Sequence, residues 1–288
     1  MAFLAGALGL VIGLALGGLG GGGGVLTVPT LVYVLGQTPH DATTGSVLIV
    51  GTAAVVGVLA RIRDRRQLDW RTGLAFGAIG IPATLLGTLL NRSVAEPVLL
   101  VSFAGLTISA AVAMLIGSSN PPPAGGDPAR PGSRGTPTAP AVPAAGGGIA
   151  ARRRTGRRQR MGRRHVVTAA KVTACGVGVG FLTGFLGVGG GFLVVPALSI
   201  ALRIPMARAI GTSLLVIVLN SASALASRAG GLQLDWAVIA PFTLAAVAGT
   251  LLGKLGADRL SGPTLGRIFA GLLLCIGAGV GIESILTR

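Results

Sequence analysis

The stretch GGLGGGGGVLTVPTL, residues 17–31, returns in altered form as GFLGVGGGFLVVPAL, residues 184–198. Ten of the fifteen positions hold the same residue type in both copies. The triplet Leu-Asp-Trp likewise occurs twice, at residues 68–70 and 234–236. Because both matches recur at nearly the same separation, the sequence predicts an internal duplication. The glycine-rich copies are the most informative feature of the sequence, since they mark where each half interrupts an otherwise apolar run.

The composition around these copies excludes most classes of soluble protein. Hydrophobic residues make up 51% of the 288 residues and charged residues only 11%, against about 25% charged in an average soluble domain. A soluble enzyme, a disordered chain and a disulfide scaffold are therefore excluded, and an integral membrane protein is predicted. The chain has two cysteines, both in apolar segments, and two histidines, so we expect neither a metal site nor a cofactor.

Ten apolar segments follow one another, five in each half of the chain. Most approach the ~20 residues that a helix needs to cross a bilayer, but the second segment of each half is shorter and follows the glycine-rich run. We therefore predict an all-α, polytopic membrane protein whose two repeats each contain about five helical segments and a broken helix. The predicted segments are about 2–17, 24–36, 42–60, 71–91 and 95–117, then 166–184, 191–202, 207–226, 236–256 and 263–286.

The charges predict the domain organisation and the membrane orientation. Residues 1–117 and 166–288 are expected to form the two transmembrane repeats, and residues 118–165, rich in Pro, Gly, Ala and Arg, a disordered linker. The arginines of residues 61–71 favour a cytoplasmic position for their loop. Because each repeat has an odd number of segments, the first repeat then starts outside the cell and the second starts inside. The basic residues left outside are Arg92, Arg228 and Arg288. The sequence thus predicts inverted-topology repeats in the cytoplasmic (inner) membrane, with a cytoplasmic linker.

Each Leu-Asp-Trp triplet precedes a long apolar segment. Asp69 and Asp235 suit the N-cap of a helix, and Trp70 and Trp236 suit the membrane interface. We expect a structural role for these four residues rather than a catalytic one.

The glycine-rich runs are the candidate substrate site. An interrupted helix leaves backbone groups unpaired, which costs several kcal/mol per group in hydrocarbon unless protein or a wet cavity lies beside them. Helices that start after the two runs would direct N–H groups and positive dipole ends at one place near the midplane, where an anion could bind. Close packing at small residues is the alternative. The predicted site residues are Gly20, Gly22, Gly23, Gly24 and Val25 with Gly187, Gly189, Gly190, Gly191 and Phe192.

A dinucleotide fingerprint is a rival explanation of the first run, because residues 18–23 match G-x-G-x-x-G. The second copy fails that pattern at Phe192, and the flanking segments are too long and apolar for a βαβ unit. We therefore reject this explanation.

Hydroxyl and amide side chains form a second set of candidate binding residues. Thr44 and Ser46 lie early in the third segment of the first half, and Thr212 and Ser213 lie at the matching place in the second half. Asn220 follows on the same segment, where a membrane amide needs a partner. The alternative is that the hydroxyls bond their own helix carbonyls and that the amide joins two helices. Acidic residues are nearly absent from the predicted spans, which predicts weak proton coupling, or none that an obvious carboxylate carries.

The combined pattern resembles the sulfite exporter family, also called TauE/SafE or the four-toluene-sulfonate uptake permeases. The resemblance rests on the two glycine-rich stretches that end in Val28-Pro29 and Val195-Pro196, and on the run Ala209-Ile210-Gly211-Thr212-Ser213. The run Thr43-Thr44-Gly45-Ser46 is a looser version in the first half. The resemblance implies transport of a small sulfur oxyanion, an organosulfonate or a related organic anion across the cytoplasmic membrane.

These observations predict a secondary transporter that exports a small anion, with one half rocking against the other, and not an enzyme. An anion channel and an importer of organic anions are the alternatives, and a membrane enzyme or assembly scaffold would need clustered titratable groups. We expect the lipid bilayer and the anion as partners and no nucleic acid, although the basic linker could contact anionic lipid. The sequence leaves a homo-oligomer open.

Overall fold

The computed structural model describes residues 2–64, 67–91, 94, 96–118, 170–186, 191–226 and 235–286. All regular structure within these ranges is helical, which confirms the predicted all-α class. The predicted linker, residues 118–165, lies outside the described ranges apart from its first residue, and the division into two repeats with a disordered connector stays a prediction.

The ten helices follow the ten predicted segments closely, with most ends within two or three residues of the prediction. Two short π-helical segments, π1 and π2, continue the second helix of each half. The helices are α1 Ala2–Leu19, α2 Gly22–Pro29, π1 Thr30–Val34, α3 Pro39–Leu59, α4 Trp70–Asn91, α5 Glu96–Ser118, α6 Ala170–Leu186, α7 Gly191–Pro196, π2 Ala197–Ala201, α8 Met206–Ala226, α9 Trp236–Ala257 and α10 Gly262–Leu286.

Five of these helices, α3, α4, α8, α9 and α10, contain stretches long and apolar enough to cross a membrane, by length and composition. Large apolar side chains on their outer surfaces are exposed, among them Leu85, Leu86 and Leu244. Such a surface is expected of helices that contact lipid tails.

The π segments begin directly after Pro29 and Pro196, the prolines that end the duplicated motif. In each segment the closing backbone bond spans five residues, from the Leu35 N–H to the Thr30 carbonyl (3.2 Å) and from the Leu202 N–H to the Ala197 carbonyl (3.3 Å). Because proline has no N–H to donate, it interrupts the α-helical bonding pattern, and a π turn is one way to accommodate this.

The closest helix contacts join one half of the chain to the other. On α1, Gly9, Gly13 and Gly17 face the backbone of Phe242, Ala246 and Thr250 on α9. On α6, Gly180 and Gly184 face Gly80 and Thr84 on α4 in the same way. A β-carbon at Gly13, Gly17, Gly180 or Gly184 would overlap the facing backbone, so glycine permits a close approach that no other residue allows.

Equivalent hydroxyl bonds fasten the two glycine-lined pairs. The Thr250 hydroxyl donates to the Gly13 carbonyl at 3.2 Å and to the Ala246 carbonyl of its own helix at 2.8 Å. The Thr84 hydroxyl makes the equivalent two bonds, to the Gly180 carbonyl of the partner helix at 3.0 Å and to the Gly80 carbonyl of its own helix at 2.9 Å. Each distance is within 0.2 Å of its counterpart at Thr250. The repeat seen in the sequence is therefore also a repeat of contacts, whereas the opposite membrane orientation of the two halves stays a prediction.

The third helix of each half forms the centre of the molecule. Gly51 of α3 lies against Ser221 of α8, and Gly57 lies against Leu214, so α3 and α8 run antiparallel. Ile49, Leu214 and Phe242 lie in the apolar core between α3, α8 and α9. Helix α5 packs on α10.

Both aspartates of the Leu-Asp-Trp triplets act as N-caps, as predicted. The Asp235 carboxylate accepts from the Ala237 N–H (3.1 Å) at the start of α9. The Asp69 carboxylate accepts from the Thr72 N–H (3.2 Å) and the Thr72 hydroxyl (2.9 Å) at the start of α4.

Candidate functional site

The first glycine-rich run does break a helix. Helix α1 ends at Leu19, Gly20 adopts a left-handed backbone with φ of +78°, and α2 begins at Gly22. A β-carbon at Gly20 would be strained by this φ and would lie 2.7 Å from the Ile210 Cα. The second run, Gly187, Gly189 and Gly190, lies outside the described residues, between the end of α6 at residue 186 and the start of α7 at Gly191.

The starts of the two short helices lie side by side. A β-carbon at Gly21, which precedes α2, would overlap the Gly191 carbonyl and lie 3.1 Å from the Phe192 backbone nitrogen at the start of α7, so the two glycines lie against each other. Gly24 lies against Val50 and Gly191 against Ile217, and both of these partners are near the middle of 21-residue helices. The structure thus brings the two predicted starts together at mid-length of α3 and α8.

The apolar members of the predicted site are part of the core. Val25 and Phe192 belong to one buried cluster, and Phe192, 1% exposed, packs edge-on against Phe103 with ring centroids 5.6 Å apart. Gly23 faces Ile12 and Leu16 on α1, so α2 folds back along the helix that precedes it. Gly22 is the first residue of α2.

Ser213 is the predicted hydroxyl residue that reaches the break. Its side chain is fully buried, and its hydroxyl lies within hydrogen-bond distance of the Gly20 carbonyl and, at 2.8 Å, of the Ile210 carbonyl. Because the left-handed turn takes the Gly20 carbonyl out of the regular helical pattern, this hydroxyl supplies the donor that the buried carbonyl needs.

The other polar candidates lie elsewhere. The Thr212 hydroxyl accepts from the Asp69 N–H at 3.2 Å and so anchors the loop before α4. The Ser46 hydroxyl donates to the Thr43 carbonyl at 2.9 Å, and Thr44 is buried. Asn220 follows Ile217 by three residues on α8, and its buried Oδ1 atom has no hydrogen-bond partner among the described residues.

Arg61 is the polar residue at the break that the sequence did not predict as a site residue. It follows α3 by two residues, and only 2% of its surface is exposed. Its guanidinium donates to the Gly57 carbonyl at 3.1 Å and to the Gly17 carbonyl in the last turn of α1. Burial lowers the pKa of Arg61 to about 10, an effect that the Asp258 carboxylate opposes, so the group is a cation at neutral pH.

Two cavities lie on the side of the molecule that holds Arg61. A hollow of about 40 Å³ is lined by Arg61, Gln67, Asp258 and Ile210, among others, and Ile210 is also the residue that contacts Gly20. A larger cavity of about 620 Å³ lies where α4 and α8 begin, with Trp70, Arg71 and Arg208 in its wall. Neither of these two cavities is lined by the glycines at the starts of α2 and α7.

Comparison with known proteins identifies the family. The family model described as sulfite exporter TauE/SafE matches residues 5–280. The chain belongs to the TauE/SafE family. Proteins named as probable membrane transporter proteins in Xylella fastidiosa strains 9a5c and Temecula1 are 31% and 30% identical over 269 residues, which cover 92% of this chain and 89% of each relative. The probable membrane transporter protein YunE of Bacillus subtilis strain 168 is 26% identical over 295 residues, or 97% of both chains. No solved structure matches the chain.

Membership of the TauE/SafE family and the apolar helices together make this chain a multi-pass membrane protein of a transporter family. Its described residues hold no group of three or more His, Cys, Asp or Glu side chains that could bind a metal ion. Near the break, this chain holds a serine hydroxyl and a guanidinium, both of which donate to backbone carbonyls. The predicted anion site at the two helix starts stays a prediction.

Proposed function

We propose that this protein is a permease that exports a small anion, sulfite or an organosulfonate, across the cytoplasmic membrane. The observation that carries the proposal is the contact between Gly21 and Gly191, because it places the N-terminal ends of two short helices side by side at mid-length of α3 and α8. Backbone N–H groups and positive dipole ends at such a place favour a negative charge. The family model supports the sulfur oxyanion as cargo.

The proposed transport cycle requires these two helix starts to separate. Gly21 and Gly191 touch, so an anion cannot lie between them in this arrangement. Separation would expose the N–H groups to one side of the membrane and then to the other, which is alternating access. Movement of one sequence half against the other is disfavoured, because α1 packs on α9 and α6 on α4. We propose instead that these glycine-lined pairs move as units.

The membrane potential favours export over uptake. Moving one charge across 100 mV changes the free energy by about 2.3 kcal/mol. In a cell with a negative interior, the export of a monoanion is therefore favourable by this amount, and the export of a dianion is favourable by about twice as much. Export therefore needs no coupling ion. The proposed orientation, with the linker and Arg61 on the cytoplasmic side, places the 40 Å³ hollow at the entrance of this pathway.

Sulfite efflux from proteoliposomes tests the proposal. The full-length protein should give saturable efflux that an inside-negative potential accelerates. A Gly21→Ala variant should lose this efflux, because its β-carbon would overlap the Gly191 carbonyl. The matched control is Gly6→Ala on α1, where a β-carbon meets open space.

Three outcomes would contradict this function. Efflux that does not saturate would favour a channel, potential-independent flux would remove the energetic argument for export, and uptake of organic anions without sulfite efflux would favour the importer. Thermal stabilisation of the wild-type protein by sulfite supplies a second measurement should the Gly21 variant fail to fold.

A further inference from the structure

The Arg61 side chain reaches the last turn of α1 and makes hydrogen bonds that the family assignment does not explain. Arg61 binds two backbone carbonyls, of Gly57 and Gly17, which are neutral acceptors, although a buried guanidinium is usually paired with a carboxylate or phosphate. We propose that Arg61 binds the transported oxyanion at the cytoplasmic entrance, in the 40 Å³ hollow, and that it exchanges the Gly17 carbonyl for the anion. This inference rests on the function proposed above.

The size and position of the hollow fit this role. Its volume of about 40 Å³ has room for about three water molecules, since one needs roughly 10–15 Å³, and this suits a small oxyanion better than a bulky one. Ile210 separates the hollow from the break, because it lines the hollow and contacts Gly20. An anion on Arg61 would therefore be one side chain away from the starts of α2 and α7.

The charges around the hollow leave Arg61 as the effective cation. Asp258 is the carboxylate in its wall, but its two oxygens are bound by Lys254 at 2.7 Å and by Gln67 at 3.3 Å. Other residues therefore occupy both Asp258 oxygens, while the carboxylate still acts on Arg61 through its charge. The guanidinium keeps its positive charge in a buried setting where electrostatic attraction is stronger than in water. The planar guanidinium can also present two parallel N–H groups to one oxyanion.

A purely structural role for Arg61 makes a different prediction. As a side-chain cap on the last turn of α1, Arg61 would affect stability but not the affinity for an anion. The two roles can be separated by measuring anion affinity in variants that remain folded.

Thermal unfolding of the full-length protein in detergent, titrated with sulfite, sulfate and thiosulfate, provides that measurement. Relative to wild type, we expect the apparent Kd for sulfite to rise at least tenfold in Arg61→Gln and by a smaller factor in Arg61→Lys, which keeps the charge but loses the planar fork. The matched control is Arg63→Gln, in the same loop and exposed, whose Kd should equal that of wild type.

An Asp258→Asn variant tests the proposal without altering the arginine. Removing the negative charge from the wall of the hollow should lower the Kd for sulfite severalfold, whereas a structural cap on α1 would leave it unchanged. This variant keeps the proposal testable should both Arg61 variants fail to fold.

The outcomes distinguish this inference from the proposed function. If wild type binds and exports sulfite but the Arg61 and Asp258 variants bind it with unchanged Kd, Arg61 is a structural cap and only this inference is wrong. If wild type neither binds nor exports any of the three anions, the proposed function is wrong and this inference falls with it.

Discussion

The α1–α9 pair and the α6–α4 pair are nearly the same structure built twice. Each brings glycines spaced four residues apart against the backbone of a partner helix, and each is fastened by a threonine hydroxyl that donates to a glycine carbonyl. In the α1–α9 pair the Arg61 guanidinium also donates to a carbonyl in the last turn of α1, whereas Arg228, which stands 167 positions after Arg61, lies outside the described residues. The duplicated scaffold therefore repeats its packing, and the guanidinium contact is described for the first pair.

The largest effect should come from filling the glycine faces. Gly13→Ile and Gly180→Ile should each abolish folded, monodisperse protein, because their side chains would overlap backbone that cannot move aside. Adding methylene groups to a packed core typically costs about 1–3 kcal/mol, and a whole isoleucine side chain directed at backbone should cost more than this. Size-exclusion chromatography in detergent measures the outcome.

The matched controls for this prediction lie on the same two helices. Gly6→Ile and Gly178→Ile introduce the same side chain where a β-carbon meets nothing within 4 Å, and both variants should remain folded. If one of the glycine-face variants remains folded while the other is lost, the two pairs are not energetically equivalent.

The next effect concerns the break itself. Gly20→Ala should lower the thermal midpoint more than Gly36→Ala, because both positions have a positive φ but only Gly20 also lacks space for a β-carbon. The φ penalty alone is about 1 kcal/mol. Gly24→Ala, whose β-carbon would make an ordinary 3.6 Å contact with Val50, should keep the wild-type midpoint. Equal midpoints for the Gly20 and Gly24 variants would show that the break is not a constrained structure.

A smaller difference is expected between the two equivalent serines. Ser213→Ala removes a donor from the buried Gly20 carbonyl and should cost about 1–3 kcal/mol. Ser46→Ala removes a bond to the Thr43 carbonyl of its own helix and should cost less. Thermal unfolding of both variants in the same detergent compares them, and a larger loss of stability for Ser46→Ala would contradict the role of the Ser213 hydroxyl as the donor to the buried Gly20 carbonyl.

The smallest effect should be the same in both halves. Thr84→Val and Thr250→Val each remove one hydroxyl bond between helices, for which about 0.6 kcal/mol is typical in membrane proteins. Equal shifts in thermal midpoint would support the equivalence of the two pairs. A shift in one variant alone would show that one hydroxyl bond contributes nothing.

The positions of the helices and of the break at Gly20 could be predicted from the sequence. Apolar length fixed the ten segments, and the glycine run with its following proline marked α2 and α7, because glycine and proline act on the backbone locally. The role of Asp69 and Asp235 as N-caps was predicted for the same reason.

The long-range contacts between helices could not be predicted from the sequence. The glycine spacing on α1 indicates a close-packing face, but nothing in it names α9 as the partner. Arg61 was interpreted as a topology signal, because its burial depends on where α1 ends, which only the packing decides. Thr212 and Ser213 are neighbours of similar chemistry, yet one anchors a loop and the other reaches Gly20.

The bond between Thr250 and Gly13 joins residues 237 positions apart. At synthesis rates of about 5–20 residues per second, α1 leaves the ribosome roughly 10 to 50 s before its partner helix exists. Its glycine face must wait in the bilayer, or with an insertion factor, until nearly the whole chain has been made. A product truncated before residue 236 would therefore contain α1 without its packing partner α9. Quality-control proteases should recognise such a product as incompletely folded.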